Sequence, residues 1–234
     1  MSETIQGSSG GDLIPRREAL PTTLPAGHYV VIDVFHFSNT VIELVNGGAS
    51  AINIRQPAPG DDQQTNALIG GEPTAEYEPQ AGADFFNSPS VAADLDVAGR
   101  NVVFWSANGG RTVATLRDRS GSDIDIWVGS TLNARAVADR LVDSHRPVYL
   151  VAAGRRGQVA LEDVLGARLI DRYLAGQEPS PAERATLRNR LETARGESYL
   201  EQSAIRRQDV LEYATNLDGR TVVPRLVDGA LVAD

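Results

Sequence analysis

The sequence predicts an α/β domain whose largely parallel or mixed sheet is covered by helices on both faces. Three observations carry this. Several short apolar runs lack polar alternation, as strands buried on both faces require. Helical stripes lie between those runs. The turns that follow the runs are rich in Asp, Asn, Ser, Gly and Arg, and in an open α/β sheet such turns gather in the crevice beyond the carboxyl ends of the strands.

The elements follow in chain order. The leader MSETIQGSSGGDLIPRRE lacks the basic start and apolar stretch of a signal peptide, so residues 1–26 read as a flexible leader of a cytoplasmic protein and 27–234 as one domain. Strands are expected at Tyr29 to Val34, Ala51 to Ile54, Val102 to Trp105, Ile124 to Val128 and Val148 to Ala152. Ala134, Val137, Ala138, Leu141 and Val142 share one helical face, and Leu161, Val164, Leu165 and Leu169 share another. Gln56 to Asn66 reads as a loop or crossover. After Tyr173 the chain becomes a charged helical segment, with Ser180 as cap and Pro181 in the first turn. The end reads as a hairpin about Asp228-Gly229, and Pro224 places it at a sheet edge.

Net charge is −9, and all 22 cationic residues are arginines. The absence of lysine excludes Schiff-base chemistry and a Walker-type phosphate lysine. The absence of cysteine excludes thiol nucleophiles, disulfides and thiolate metal sites. The charge sign argues against a nucleic-acid partner, and no apolar run approaches the roughly 20 residues of a membrane span. An acidic, lysine-free surface suits a cytoplasm of high salt.

The unusual residues fall at the turns. Asp33 closes the run VVID, where a carboxylate is buried and needs a partner; Ser38 and Asn39 follow it. Glu72 follows ALIGG, Asn87 and Ser88 follow GADFF, and Asn108, Gly109 and Arg111 follow VVFW. Ser130 and Asn133 follow IDIWVG, and Arg155, Arg156, Glu162 and Asp163 follow VYLVAA. Asp33, Glu72, Glu162 and Asp163 can supply hard oxygen ligands to Mg²⁺. Asn108, Arg111, Ser130, Asn133 and helix-start amides can hold a phosphate, with Gly109 making room for the anion. His36, between Phe35 and Phe37, reads as a packed histidine rather than a ligand, and His28 as a surface residue.

In this order the turns resemble those of the 2-phosphosulfolactate phosphatase family, Mg²⁺-dependent hydrolases associated with coenzyme M biosynthesis. VVIDVFHFSNT is similar to the family's VVIDVLRATTT-like stretch, GGEP to its AGER-like turn and FNSP to its GNSP-like turn. SANGGRTV, GSTLNA and AAGRRGQVALEDVLGAR match further family segments, so the likeness runs from about Val30 to Ile170. It implies hydrolysis of 2-phosphosulfolactate, or a related small phosphorylated hydroxy acid, to the hydroxy acid and phosphate. Asp33, Glu72, Asn108 and Arg111 would be catalytic. Ser38, Asn39, Asn87, Ser88, Gly109, Ser130 and Asn133 would bind substrate. An in-line water or an aspartyl-phosphate on Asp33 both satisfy this reading. The chain departs from the family at His36, where the family has arginine, and at Phe37, Ser106, Ala107 and Gly110. Those departures keep a second reading open, a non-catalytic descendant that binds an anionic metabolite or a protein partner. A homodimer is compatible with either.

The surplus of carboxylates predicts dependence on salt. The melting temperature should fall when KCl is lowered from about 2 M to about 0.1 M, because screening of like charges weakens. Calorimetry across that range checks it, and an unchanged melting temperature counts against a halophilic surface.

Overall fold

The computed structural model describes residues 5–6, 11–58, 66–196 and 198–234. Part of the expected Gln56 to Asn66 loop therefore lies outside the described residues, as does most of the segment before residue 11. Five strands form where apolar runs were expected: β3 (Gly27–Ile32), β4 (Ala51–Ile54), β7 (Asn101–Phe104), β8 (Ile124–Gly129) and β9 (Val148–Ala152). Short strands join them: β1 (Ile5–Gln6), β2 (Asp12–Ile14), β5 (Leu68–Gly71), β6 (Phe85–Phe86), β10 (Pro224–Val227) and β11 (Ala230–Ala233). The helices are α1 (Phe37–Asn46), α2 (Pro89–Ala93), α3 (Gly109–Arg119), α4 (Ala134–Leu141), α5 (Leu161–Leu174), α6 (Pro181–Glu192), α7 (Ser198–Glu201) and α8 (Ala204–Gln208). A π-helical turn, Asp209–Ala214, continues from α8.

The sheet order is β1-β2-β9-β3-β8-β10-β11-β4-β7-β5-β6. It consists of two parallel halves. In one, β3 lies between β8 and β9, with Val31 opposite both Val128 and Val151. In the other, β7 lies between β4 and β5. Alternate residues of β3 serve two cores. Val30 and Ile32 face α4, α5 and the C-terminal helices, while Tyr29 and Val31 face α1 and α3. The second core includes Ile52, Ile54 and Phe104 from the other half, so the sheet curls around α1 and α3.

Three expectations are corrected. The terminal hairpin is not at an edge: its antiparallel strands join the halves, pairing Arg225 with Trp127 of β8 and Leu231 with Ile52 of β4. Pro224 is tolerated because it is the first residue of β10, where a missing N–H interrupts no ladder. Asp228 and Gly229 both have positive φ (49° and 86°), the turn that fits the twist of a two-residue hairpin. Residues 11–26 are not a loose leader. β2 pairs in parallel with β9, Leu13 opposite Leu150, and Leu13, Ile14, Leu20 and Leu24 are buried. A three-residue strand is too short to show a period in the sequence. His28 is also buried, with Nε2 2.7 Å from Ser144 Oγ. Ser180 caps α6 as expected, in a reciprocal pair with Glu183. Among the described residues, no helix is long and apolar enough to cross a membrane.

If the hairpin joins the halves, its one fully buried leucine carries much of that junction. Leu231→Ala should cost about 2–5 kcal/mol, read as a lower urea midpoint. A cost below about 1 kcal/mol would mark the hairpin as peripheral.

Candidate active site

The site begins where β3 runs out. Beyond Ile32 the chain turns tightly: the Asp33 N–H donates to Ser38 Oγ (2.9 Å) and the Ser38 N–H returns to the Asp33 carbonyl (2.9 Å). Asn39 Nδ2 donates to the Val34 carbonyl at 3.0 Å. Ser38 and Asn39, expected to touch substrate, are fully buried and brace this turn instead. The turn presents the Asp33 carboxylate, 3% exposed, at the floor of a cleft of about 340 Å³.

Asp33 finds its partner across the curled sheet. Its Oδ2 accepts the N–H of Gly109 at 2.8 Å, although four strands stand between β3 and β7 in the sheet order. The first glycine of SANGGR is thereby explained. A Cβ on Gly109 would lie 2.3 Å from the Phe37 ring, so this glycine makes room for a core aromatic rather than for an anion. Its free helix-start N–H goes to the buried carboxylate.

Asp163 fixes the neighbouring turns. Its Oδ1 accepts from the Val34 N–H (2.9 Å) and its Oδ2 from the Gly154 N–H (3.0 Å), tying the turn after β3 to the turn after β9. Glu162, also buried, pairs with Arg195, whose Nε and NH2 lie 2.6 and 2.5 Å from Oε1. Glu72 Oε1 accepts the Ala107 N–H at 2.7 Å. The four acids expected to ligate a metal are therefore split by role. Asp33 and Glu72 line the cleft, each with a second carboxylate oxygen not hydrogen-bonded to any described residue, whereas Asp163 spends both oxygens on backbone N–H groups and Glu162 holds Arg195 through Oε1 outside the cleft lining. Among the described residues, no three acids or histidines converge as a metal site built from protein ligands alone.

The electrostatics follow from burial. Desolvation pushes the Asp33 carboxyl up to about 7, opposed by the Gly109 hydrogen bond and Arg195 and reinforced by Glu72 and Glu162. Burial, together with the charges of Asp33 and Glu162, holds Asp163 well above the usual carboxylate range. Facing these acids is a cationic wall. Arg155 and Arg156 project from a tight turn in which Gly154, Arg156 and Gly157 all have positive φ, and their side chains make no polar contact among the described residues. Arg195 and Arg206 come from the C-terminal segment. Arg206 bonds Tyr77 Oη and lies 4.4 Å over that ring.

Arg195, Tyr199, Arg206 and Asp209 were not anticipated. They lie in a stretch that reads as a solvated charged helix, where the aromatic Tyr199 is the one local cue. Their arrangement surrounds His36, whose Nε2 is 3.0 Å from Tyr199 Oη and whose Nδ1 is 3.4 Å from Asp209 Oδ2. Asp209 Oδ1 in turn accepts from Ser88 Oγ (2.8 Å) and Ser90 Oγ (2.6 Å). Ser88, expected as a substrate ligand, is thus a buried cap of α2 that anchors Asp209.

The other expected residues divide. Asn108 and Asn87 line the cleft, with Asn87 Oδ1 accepting from Thr40 Oγ1 at 3.0 Å. Arg111 does not line it: it is exposed on the first turn of α3, with no side-chain polar contact among the described residues. Ser130 and Asn133 are fully buried away from it. Asn133 accepts the Ser130 N–H (2.9 Å) and donates to the Val222 carbonyl (3.0 Å), while Thr131 Oγ1 donates to the Ala214 carbonyl (2.7 Å). The GSTLNA turn therefore docks the C-terminal segment rather than a ligand.

Fold and cleft together define an α/β protein whose arginine-lined cleft surrounds a buried carboxylate at the carboxyl ends of the strands. The 2-phosphosulpholactate phosphatase family matches residues 14–229, and the chain belongs to that family. A protein of Thermotoga petrophila named "Probable 2-phosphosulfolactate phosphatase" is 28% identical over 215 residues, 87% of this chain and 90% of the relative. One of the same name from Symbiobacterium thermophilum is 33% identical over 155 residues, 64% of each chain. A third, from Deinococcus radiodurans, is 32% identical over 166 residues, covering 64% of this chain and 65% of the relative.

The raised Asp33 value has a consequence for stability. Between its ordinary 3.8 and about 7, the folded state holds a proton that the unfolded chain releases, so the contribution of Asp33 to stability falls as pH rises through that window. Asp33→Asn removes this loss. Relative to the unmodified chain, the variant should gain on the order of 2–4 kcal/mol in unfolding free energy between pH 4 and pH 8. Urea titrations at the two pH values measure the gain, and a difference that does not grow with pH counts against a buried, proton-holding Asp33.

Proposed function

We propose that this chain is a phosphatase that hydrolyses a small phosphorylated hydroxy acid, with 2-phosphosulfolactate, the compound in its relatives' names, as the reference substrate. One observation carries the reading: the buried Asp33 faces a wall of guanidinium groups in the same cleft, and those of Arg155 and Arg156 have no protein partner among the described residues. A dianionic phosphate monoester satisfies those arginines. Arg195, held in place by Glu162, lies close enough to Asp33 to influence its charge and so stands beside the reacting phosphoryl group.

The donor set fits Mg²⁺. Asp33 and Glu72 would hold it through their second oxygens, and one or two carboxylates are what Mg²⁺ takes when waters and phosphate oxygens complete its shell. When bound, the ion neutralises charge on the phosphoryl oxygens and acidifies water. The remaining work belongs to the chain. Arg155, Arg156 and Arg195 orient the phosphoryl group and spread the charge that develops on its oxygens. Asp33, a carboxylate lining the same cleft, is placed to accept a proton from the water that attacks in line. Asn108 offers an amide beside the same group.

Phosphate release from 2-phosphosulfolactate and related phosphorylated hydroxy acids, in about 2 M KCl with and without Mg²⁺, tests this. Turnover should require Mg²⁺ and should fall at least about 100-fold in Asp33→Asn and Arg195→Ala. Arg111→Ala, outside the cleft, should change kcat and KM less than about twofold. Saturable binding of such esters by the unmodified chain without any phosphate release would replace the enzyme by an anion-binding protein.

A further inference from the structure

We propose that Tyr199 is a catalytic residue of this site, the acid that protonates the ester oxygen as it leaves phosphorus; the assignment rests on the phosphatase reading above. Tyr199 lines the cleft with Asp33, and its hydroxyl is held by two neighbours of different kind. Arg195 NH1 lies 3.0 Å from Oη and can only donate, so it occupies a lone pair and leaves the phenolic proton to be given elsewhere. His36 Nε2 lies 3.0 Å on another side. The Asp209 carboxylate, 3.4 Å from Nδ1, favours the tautomer with its proton there, which makes Nε2 an acceptor. The Tyr199 O–H therefore rests on His36, and rotation about one bond turns it toward a substrate oxygen.

The surroundings suit a proton donor. Burial pushes the Tyr199 phenol up to about 12, so it is protonated at neutral pH yet remains a stronger acid than an alkyl alcohol. The phenolate formed by proton transfer is met by the guanidinium of Arg195 at Oη and by two guanidiniums against the ring, Arg195 at 5.1 Å and Arg206 at 4.9 Å from its centroid. His36 does not compete for the role. Burial and the charges of Arg195 and Arg206 hold its imidazole down to about 3, so it is neutral.

The step balances. The bond between phosphorus and the ester oxygen breaks, its electron pair stays on that oxygen, and the oxygen takes the Tyr199 proton to become the alcohol. Water forms the new bond to phosphorus. One of its protons, taken by Asp33 and passed on through solvent, restores the phenol, so ester and water give alcohol and hydrogen phosphate.

Leaving groups of different basicity test the assignment, because an alkoxide needs a proton to depart and p-nitrophenolate does not. Tyr199→Phe keeps the ring, its stacking on Phe35 at 5.9 Å and its contacts with both guanidiniums, and should melt with the unmodified chain. For the variant, kcat with O-phospholactate should fall at least about 100-fold, while kcat with p-nitrophenyl phosphate falls less than about fivefold. Equal losses on both esters would reduce Tyr199 to a support for Arg195 and overturn the proposal, as would undiminished turnover of O-phospholactate. If the unmodified chain leaves O-phospholactate intact, 2-phosphosulfolactate takes its place in the comparison; if it cleaves none of these esters, the phosphatase reading fails and this assignment fails with it.

Discussion

Burial of the Asp33 carboxylate is the constraint on which the rest of this structure depends. A carboxylate at the end of a strand that is apolar on both faces must find a hydrogen-bond donor, or its burial would cost several kcal/mol. The donor is the Gly109 N–H, supplied from the far half of the sheet. That contact requires the sheet to curl, and it requires a glycine, because the Phe37 ring fills the space a side chain would take. Phe37 stacks on Phe104 of β7 at 5.6 Å, so one arrangement closes the core and aims the carboxylate.

The same economy governs charge. The chain is acidic overall, yet four of its arginines line the cleft, and one of them, Arg195, is fixed there by a buried acid. Glu162 holds Arg195, which also donates to the Phe35 carbonyl at 3.1 Å and to Tyr199 Oη. A guanidinium with this many directed partners loses little further freedom on binding a ligand, which is the physical meaning of preorganisation at such a site. His36 extends the arrangement to Asp209 and, through it, to Ser88 and Ser90 of the opposite half. The polar groups beneath the cleft thus form one connected set that spans both halves of the sheet.

The C-terminal third completes both fold and site. Its hairpin joins two parallel half-sheets that would otherwise present open edges to each other. The turn after α6 and the helices that follow deliver Arg195, Tyr199 and Arg206 to the cleft. The GSTLNA turn is the dock that makes this possible, since Asn133, Thr131 and Leu132 meet backbone groups of residues 214–222. Residues that look like ligands by composition are here the fasteners of the segment that carries ligands.

The sequence by itself determined the class of fold, five of the strands, the turn of the hairpin and the place of Asp33 and Glu72 at turns that line the cleft. These are written locally, in runs of apolar residues, in an Asp-Gly pair, and in carboxylates placed where strands end. Tertiary structure alone decided the hairpin's interior place, the parallel pairing of β2, and the division of polar turn residues into those that line the cleft and those that brace it. Ser38, Asn39, Ser88, Ser130 and Asn133 carry the same donors and acceptors in either role, and only the neighbours brought by folding settle which they bond. Arg111 and Arg195 are alike in sequence. One lies exposed on a helix and the other beside Asp33, because a side chain's charge is local information, whereas its partner and its depth are properties of the whole chain.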